Sequence, residues 1–580
     1  MVYRIADNVL TPLGETTAQN YEAVKAGRSL LRRYEGPWGI PEPFSASLFS
    51  EEQNRALAIE GLTRFESLVV RSARSAIQEA GIDPSQQRVV LILSTTKANI
   101  ELLQQGQECG PASAAQHIAK ALGVVTAPMV VCNACISGVS AIILAQRLLE
   151  HGDYDYAIVC GADVLNLFTV SGFQSLKAIS EDVCRPFDIE RLGLNLGEAA
   201  ATMVLRRAVA VAQQLTEQGA LWAIEAGAVR NDAFHISSPS KNGEGARLAL
   251  EAVLQQAQQP TEGLAMINAH GTATMFNDQM ESVAIERAGL NTIPVNALKG
   301  YFGHTLGAAG ILETIITMAA LDDHTILGTK GFEERGVSGK IILTKDNTPT
   351  DKQRFVKMIS GFGGGNAAIL VSNVTHVNHG DCPLCAQPAE YTGTVPVSHV
   401  HITSQTVEVD GQPLDHEGEG ADLLTDLYKR YIADYPKYYK MDFLSRLGFV
   451  ASELLLKAER ILTLDNLHFS DHRAIILFNH SSSIQADRNY QVSIEDPDNY
   501  FPSPSAFVYT LPNIVTGEIA IRNGYQGETS FYILPLKDEP LMQTIIKASF
   551  SDHRTESILC GWVDAEDETH FEAELSIVRK

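Results

Sequence analysis

Four segments carry residue types that could do chemistry together. Cys135 stands in Asn133-Ala134-Cys135-Ile136-Ser137-Gly138, after an apolar run and at the opening of a helix pattern. The unsatisfied N–H groups of a first helical turn favour a thiolate there. The cysteine's own N–H can also face a developing oxyanion. Taken alone, such a cysteine is weak evidence for a nucleophile and reads more readily as a small buried hydrophobe. Two histidines sharpen the reading. His270 lies in Asn268-Ala269-His270-Gly271-Thr272-Ala273-Thr274, directly after the short strand LAMI. His304 lies in the Gly-rich loop Lys299 to Gly310, which runs into a helix of small residues. Both sit where a strand exits into a loop, the usual place for site residues in α/β folds. A fourth segment, Gly361-Phe362-Gly363-Gly364-Gly365-Asn366, offers backbone N–H groups to an anion or simply makes a tight turn.

These segments must be positioned by regular elements. Short β-branched runs at Arg88–Leu93, Pro128–Cys132, Tyr156–Cys160, Ala200–Leu205 and Ala368–Ser372 read as strands covered on both faces. Helix-period stretches lie between them, among them Arg64–Ala80 and Ser137–Glu150, the latter closed by His151-Gly152. The alternation predicts a layered α/β fold over the first 374 residues. Residues 375–395 are polar and turn-forming and read as a linker. Beyond it come a strand-like stretch (His399–Val409), an acidic stretch (Asp415–Ala421) and helices at Asp422–Asp434 and Phe443–Glu459.

This tail echoes the head. RAIILF follows a helix at Arg473, as RVVLIL does at Arg88. IAIRNG at Ile519–Gly524 sits like IAKALG at Ile118–Gly123, and ILCG at Ile558–Gly561 sits like IVCG at Ile158–Gly161. Three matches in the same order point to a degenerate copy of the first ~165 residues, a length of one ordinary domain.

Composition narrows the class. With 580 residues, 20% charged and 45% apolar, the chain is neither collagenous, coiled-coil nor wholly disordered. Its net charge of -24 makes it a poor non-specific nucleic-acid binder. No apolar run approaches a membrane span, and the start MVYRIADNVLTPLGE lacks the pattern of a signal peptide. Eight cysteines are too sparse for a disulfide scaffold, so a soluble, reduced, cytoplasmic protein is expected.

Cys135, the HGT loop at His270, the Lys299-to-Gly310 loop and GFGGGNA at Gly361 resemble the β-ketoacyl-acyl carrier protein synthases, of the elongating Cys-His-His type. Thr11-Pro12-Leu13-Gly14, Gly172-Phe173 to Ser180, and Arg185-Pro186-Phe187-Asp188 leading to Gly197-Glu198 support the resemblance. Thiolases share the fold but use a second catalytic cysteine, and the GFGGG segment has none. The resemblance covers residues 1–374, a complete synthase with an N-terminal half of about 1–245 and a C-terminal half of about 255–374. It implies a thiolase-like five-layered αβαβα fold. Residues 396–580 would then be a degenerate N-terminal-half-like α/β domain.

The resemblance also implies roles. Cys135 takes an acyl group from a carrier-protein thioester. His270 and His304 stabilise the enolate formed as malonyl-carrier protein loses CO2, and the carbanion attacks the acyl-Cys. The N–H groups of Cys135 and Phe362 form the oxyanion hole, with the Phe362 ring as a gate. Lys299, Glu313, Asp278 and Glu281 orient the histidines, or are only buried ion pairs. No cofactor or metal is implied, because phosphopantetheine of the acyl carrier protein carries the substrates. Partners would be that carrier protein and a second synthase-like surface, as a homodimer or as a pseudo-heterodimer with a chain-length-factor-like unit. Two other readings stay open: a non-catalytic chain-length or scaffold subunit, and a malonyl decarboxylase supplying primers.

Departures from the family pattern are few. Asn133 stands where Thr is common, and Met275 where Pro is common after HGTAT. Asn133 and Ile136 are expected to alter the acyl pocket. The basic cluster that often receives the carrier is reduced to Arg55 and Arg64, while the tail offers Lys429-Arg430 and Lys437 to Lys440. The tail's counterpart of Cys135 falls near Pro535-Leu536 and is no nucleophile, as a built-in inactive partner would have it. His376, His379, Cys382 and Cys385 are metal-capable, but a solvated linker is the simpler reading.

Overall fold

The computed structural model describes residues 1–207, 221–257, 261–374, 395–463 and 471–580. The segment read as a linker, with His376, His379, Cys382 and Cys385, lies outside the described residues.

One five-strand wiring occurs three times. In the first sheet the order is β3 (Met129–Val131), β2 (Val89–Ser94), β4 (Tyr156–Asp163), β5 (Ala199–Arg207), β1 (Val2–Leu10). β2 runs parallel to both neighbours, and β5 is antiparallel to β4 and β1. The second sheet repeats this with β8 (Pro294–Asn296), β7 (Met266–Asn268), β9 (Arg354–Ser360), β10 (Gly365–Asn373) and β6 (Trp222–Asn231). The third, in the tail, runs β13 (Thr529–Ile533), β12 (Arg473–Asn479), β14 (Ser557–Ala565), β15 (Phe571–Arg579), β11 (Val395–Thr403). The central strands are buried along their whole length, as strands covered on both faces must be.

Five layers make up the head. Helices Arg64–Ala80 and Pro111–Leu122 cover the outside of the first sheet, sharing one apolar core with the tail. Helices Ser137–His151 and Ala309–Asp322 lie between the first two sheets and are buried on nearly every face. Helices Glu244–Ala257 and Met275–Arg287 cover the second sheet outside. This is the five-layered αβαβα arrangement, followed by a further α/β region. The helix over Arg64–Ala80 begins with a capping box between Thr63 and Glu66 and ends at Gly81 in the left-handed region.

Among the described residues the tail carries one sheet. Its helix Ile514–Asn523 ends at left-handed Gly524 and feeds β13, as Pro111–Leu122 ends at left-handed Gly123 and feeds β3. Where the head passes from β3 through Cys135 into its middle helix, the tail passes from β13 through Leu534–Asp538 into Glu539–Ser549. Two tail elements differ from the reading by pattern. The stretch His399–Val409 is a hairpin, β11 with a second short strand Val407–Val409, because Thr403 and Thr406 close a turn between them. The helix expected over Asp422–Asp434 is α-helical only over Gly420–Leu427 and widens to a π-turn at Tyr428–Ile432.

The third sheet joins the first edge to edge. β13 pairs antiparallel with β3, Tyr532 opposite Val131 and Ile533 opposite Val130. Three buried ion pairs cross the same boundary: Arg147–Glu528 at 2.8 Å, Arg230–Asp552 at 2.5 Å and Lys97–Asp487 at 2.5 Å. A buried pair is weak as a source of stability, but breaking one is severe, because the remaining charge is left without a partner. Glu528→Ala is therefore expected to lower stability by about 3–5 kcal/mol, read as a shift of the urea midpoint. Arg147→Met/Glu528→Leu should recover most of that. A Glu528→Ala midpoint equal to wild type would show that the pair does not hold the boundary.

Candidate active site

Cys135 sits in a 3-10 turn, Ala134–Ile136, between β3 and the middle helix that starts at Ser137. The turn is strained at Ala134, whose φ of 49° is unusual for a residue with a Cβ. Ser137 pins it by donating to the Ala134 carbonyl and accepting from the Asn133 N–H. His270 follows β7, and His304 follows the short helix Lys299–Phe302. The thiol and one nitrogen from each ring lie within 4.8 Å of one another, and all three residues are buried. The rings meet edge to face with centroids 4.9 Å apart. One substrate group can therefore touch all three.

The tautomer of His304 is set by the backbone. The Leu306 N–H donates to Nδ1 at 3.3 Å, which leaves the proton on Nε2, a buried atom with no protein partner among the described residues. His270 Nδ1 is likewise buried without a protein partner. Desolvation, with Lys299 and Lys357 nearby, holds both imidazoles well below the usual histidine range, so both are neutral.

A buried triad stands behind the rings. Lys299 Nζ donates to the His270 carbonyl and to Glu313 Oε1, each at 2.7 Å. Lys357 donates to Glu313 Oε2 and, at 3.2 Å, to the Ala269 carbonyl. Two ammonium groups hold the Glu313 carboxyl below its ordinary range despite complete burial. Glu281 accepts from the N–H groups of His270 and Gly271, both at 2.7 Å. Burial and the neighbouring Asp278 push its carboxyl up to about 7. Asp278 does not reach His270. It accepts from the Phe187 and Ala273 N–H groups and ties the Arg185–Asp188 segment to the HGT loop.

The Gly361–Gly365 turn closes against the nucleophile. Gly363 and Gly364 have φ of 86° and 77°, which favour glycine. A Cβ on Gly361 would stand 3.2 Å from the Cys135 amide nitrogen. Phe362 presents its ring to Phe173, centroids 6.1 Å apart. Cys135, His270, His304 and Phe362 line one cavity of about 360 Å³, whose mouth carries exposed Leu192, Met275 and Phe276.

Two expectations need correction. The helix N-terminus was to favour a thiolate, but burial dominates and pushes the Cys135 thiol up to about 12. Asn133 and Ile136 were to shape the acyl pocket. Instead the Asn133 Oδ1 accepts from the Phe531 N–H of the tail at 2.7 Å, and Ile136 packs beneath Gly361 and Gly365. The basic residues also divide differently: Arg64 is bound to Glu198, and Arg430 to Asp415, Glu417 and Asp426.

Other site residues escaped the sequence reading. Lys357 is a fully buried cation in the middle of the strand RFVKMIS, a visible signal. Asp163 ends the apolar strand β4 and accepts from Gly307, Thr95 and Thr96, tying the His304 loop to the first sheet. The tail residues are the third group. Asn513 Nδ2 donates to the Phe362 carbonyl at 2.8 Å, and Phe507 and Leu511 line a small chamber behind Cys135. Nothing local in the sequence marks them.

The fold and the three convergent side chains define a thiolase-like condensing site. The β-ketoacyl synthase N-terminal domain matches residues 16–210 and the β-ketoacyl synthase C-terminal domain residues 222–333, and the chain belongs to the β-ketoacyl synthase family. It is an acyl-transferring condensing enzyme. Among its relatives is the 3-oxoacyl-acyl-carrier-protein synthase 2 of Vibrio cholerae, 25% identical over 402 residues, or 62% of this chain and 96% of that one. Nodulation protein E of Rhizobium leguminosarum bv. trifolii is 28% identical over 384 residues, 59% of this chain and 93% of that one. The solved PfaC keto synthase-chain length factor superposes with a TM-score of 0.77 at 15% identity, over 100% of this chain and 78% of that one. Among the described residues, no helix is long and apolar enough to cross a membrane.

The raised thiol gives a direct test. Alkylation of Cys135 by iodoacetamide should be slow at neutral pH and rise about tenfold per pH unit through pH 10, because the thiolate fraction still grows below a pKa of about 12. A rate that levels off below pH 8 would show an activated resting thiolate.

Proposed function

We propose that this synthase catalyses a decarboxylative Claisen condensation of malonyl-carrier protein with an acyl group held on Cys135. The observation that carries the reading is the convergence of one thiol and two neutral imidazoles within 4.8 Å. The Cys135 sulfur attacks the acyl-carrier thioester, its proton leaves on the phosphopantetheine thiol, and the acyl group stays on the enzyme. The malonyl-phosphopantetheine arm of the carrier protein then enters through the 360 Å³ cavity. Neutral N–H donors from His304 and His270 stabilise the enolate oxygen as CO2 departs. The carbanion attacks the acyl-Cys carbonyl, whose oxygen faces the Cys135 and Phe362 amides. Collapse releases the sulfur and a 3-oxoacyl-carrier protein. Lys299, Lys357 and Glu313 hold the His270 loop, Glu281 fixes its backbone, and Asp278 positions the segment beside it.

The tail is read as an inactive partner built into the chain. The β3–β13 pairing and the repeated strand order support this, as does the place it gives Phe507, Leu511 and Asn513 beside the acyl site. The PfaC structure, whose title pairs a keto synthase with a chain length factor, supports the same reading. The carrier protein is the proposed partner, the protein is expected to be cytoplasmic, and the product belongs to fatty acid, polyketide or aryl polyene synthesis.

Mass spectrometry of protein and carrier tests the chemistry. Cys135→Ala should abolish condensation while malonyl decarboxylation persists or rises. His304→Ala should lower decarboxylation by about 10²–10³-fold, the usual loss for one donor to an oxyanion. Unchanged pathway output from Cys135→Ala would instead favour a scaffold. In Glu281→Gln, which removes the carboxyl held near 7, decarboxylation should stay level from pH 8 to 6.5, since histidines held well below 6.5 gain no proton there. A fall centred near 6.5 that persists in this variant would contradict neutral donors. If the head without residues 396–580 forms a homodimer giving the same product lengths at full rate, the built-in-partner reading fails.

A further inference from the structure

Two ammonium groups share one carboxylate behind the histidines. Lys299 donates to Glu313 Oε1 at 2.7 Å, and Lys357 donates to Oε2. None of the three side chains is more than 3% exposed. One lysine is enough to neutralise Glu313, so the trio holds one positive charge in excess. Glu281 also acts on Lys357, but its carboxyl is held up to about 7 and offsets that charge only in part at neutral pH. Asp278, beside Glu281, is paired with Arg191 at 4.0 Å. An unmatched charge out of water is costly, and something must offset that cost.

The fold does not ask for this cation. In the repeated wiring, β9 holds the place that β4 holds in the first sheet and β14 in the third. Up to Asp163 and Asp564 those two strands are uncharged, as YAIVCGA and SILCGWV. The strand order therefore forms with no ammonium at mid-strand. Of the three sheets, the one that carries His270 has it.

Hydrogen bonding does not account for it either. Lys299 already holds the His270 carbonyl, and Glu281 holds the His270 N–H. What Lys357 adds is charge. Its field reaches both rings and, with burial and Lys299, keeps them neutral. The same field favours an anion at the point the rings face. In decarboxylation the bond from the α-carbon to the carboxylate breaks, its electron pair passes into the enolate, and CO2 leaves. Negative charge thus moves from the departing carboxylate to the thioester oxygen before the rings. A positive charge fixed behind them is felt more strongly in that transition state than in the ground state, which is what accelerates a step.

We propose that the Lys357 ammonium is a built-in counter-charge for the enolate, keeping the site one positive charge in excess so that decarboxylation moves negative charge toward it. The proposal rests on the condensing-enzyme reading. It makes Lys357 a positioning residue that acts through its field at the two rings and touches no substrate.

The test uses the full chain at pH 7, where Lys357, pulled down to about 8 by burial and Lys299, still carries its proton. Malonyl-pantetheine is the substrate, and the acetyl-pantetheine formed is measured by mass spectrometry. Lys357→Met should lower kcat for decarboxylation by about tenfold, less than the loss of a donor that touches the oxyanion. Acetyl loading of Cys135, which forms no enolate, reports in the same sample whether the site is assembled. The deciding variant is Lys357→Met/Glu313→Gln. It removes more of the ion-pair network than Lys357→Met does, yet restores the single excess charge on Lys299. It should decarboxylate faster than Lys357→Met. A double variant no faster than the single one overturns the counter-charge and leaves Lys357 a structural tie. A loss in Lys357→Met that lies wholly in KM also overturns it, since the ammonium would then only draw in an anion. Should Lys357→Met not load, Lys357→Gln keeps a donor to Glu313 without the charge. It should be slowed to the same degree, and a wild-type kcat from it overturns the proposal. Wild-type protein that loads but never decarboxylates would instead sink the condensing-enzyme reading.

Discussion

A single strand pairing holds the site together. β3 is only three residues long and would otherwise be the edge of the first sheet, with unpaired N–H and C=O groups directly beneath the nucleophile. β13 of the tail covers that edge. The pairing continues past the strand: the Cys132 N–H donates to the Phe531 carbonyl, and the Phe531 N–H donates to the Asn133 side chain. Three residues before the thiol the backbone is therefore tied to the tail, and two residues before it a side chain is. The opposite wall is tied as well, through Asn513 to Phe362 and through Gly517, where a Cβ would stand 2.6 Å from the Gly363 carbonyl oxygen. Gly172 fits the same pattern, since a Cβ there would overlap the Phe507 ring.

Burial sets the electrostatics. Taking Cys135, His270 and His304 out of water favours the neutral form of each, so the resting site carries no charge at its centre. Charge is placed one layer out, in Lys299, Lys357 and Glu313, where fixed hydrogen bonds satisfy it. This arrangement keeps N–H donors ready for an oxyanion without a competing anion in the ground state.

Much of the fold was legible. The helix Arg64–Ala80 and the strands at Val89, Tyr156 and Ala199 follow from hydrophobic period, caps and β-branched runs, all local signals. The turn residues were less so. The π-turn at Tyr428–Ile432 has a helix-like pattern, and only its packing widens it. At the site, Cys135 and both histidines stood out because glycine-rich loops frame them. Asp163 is the one charge in its buried strand and Lys357 a charge at the centre of another, signals that hydrophobic pattern alone does not interpret.

The sequence by itself determined the chemistry: a thiol at a helix start, two imidazoles at strand exits and a glycine turn, each written within a dozen neighbouring residues. Tertiary structure alone decided the thiol's protonation, the wall of the acyl chamber and the pairing of Lys97 with Asp487. Those depend on desolvation and on contacts between residues nearly 400 positions apart. Neither leaves a periodic trace in the chain, because periodicity records which way a side chain faces and not what it meets.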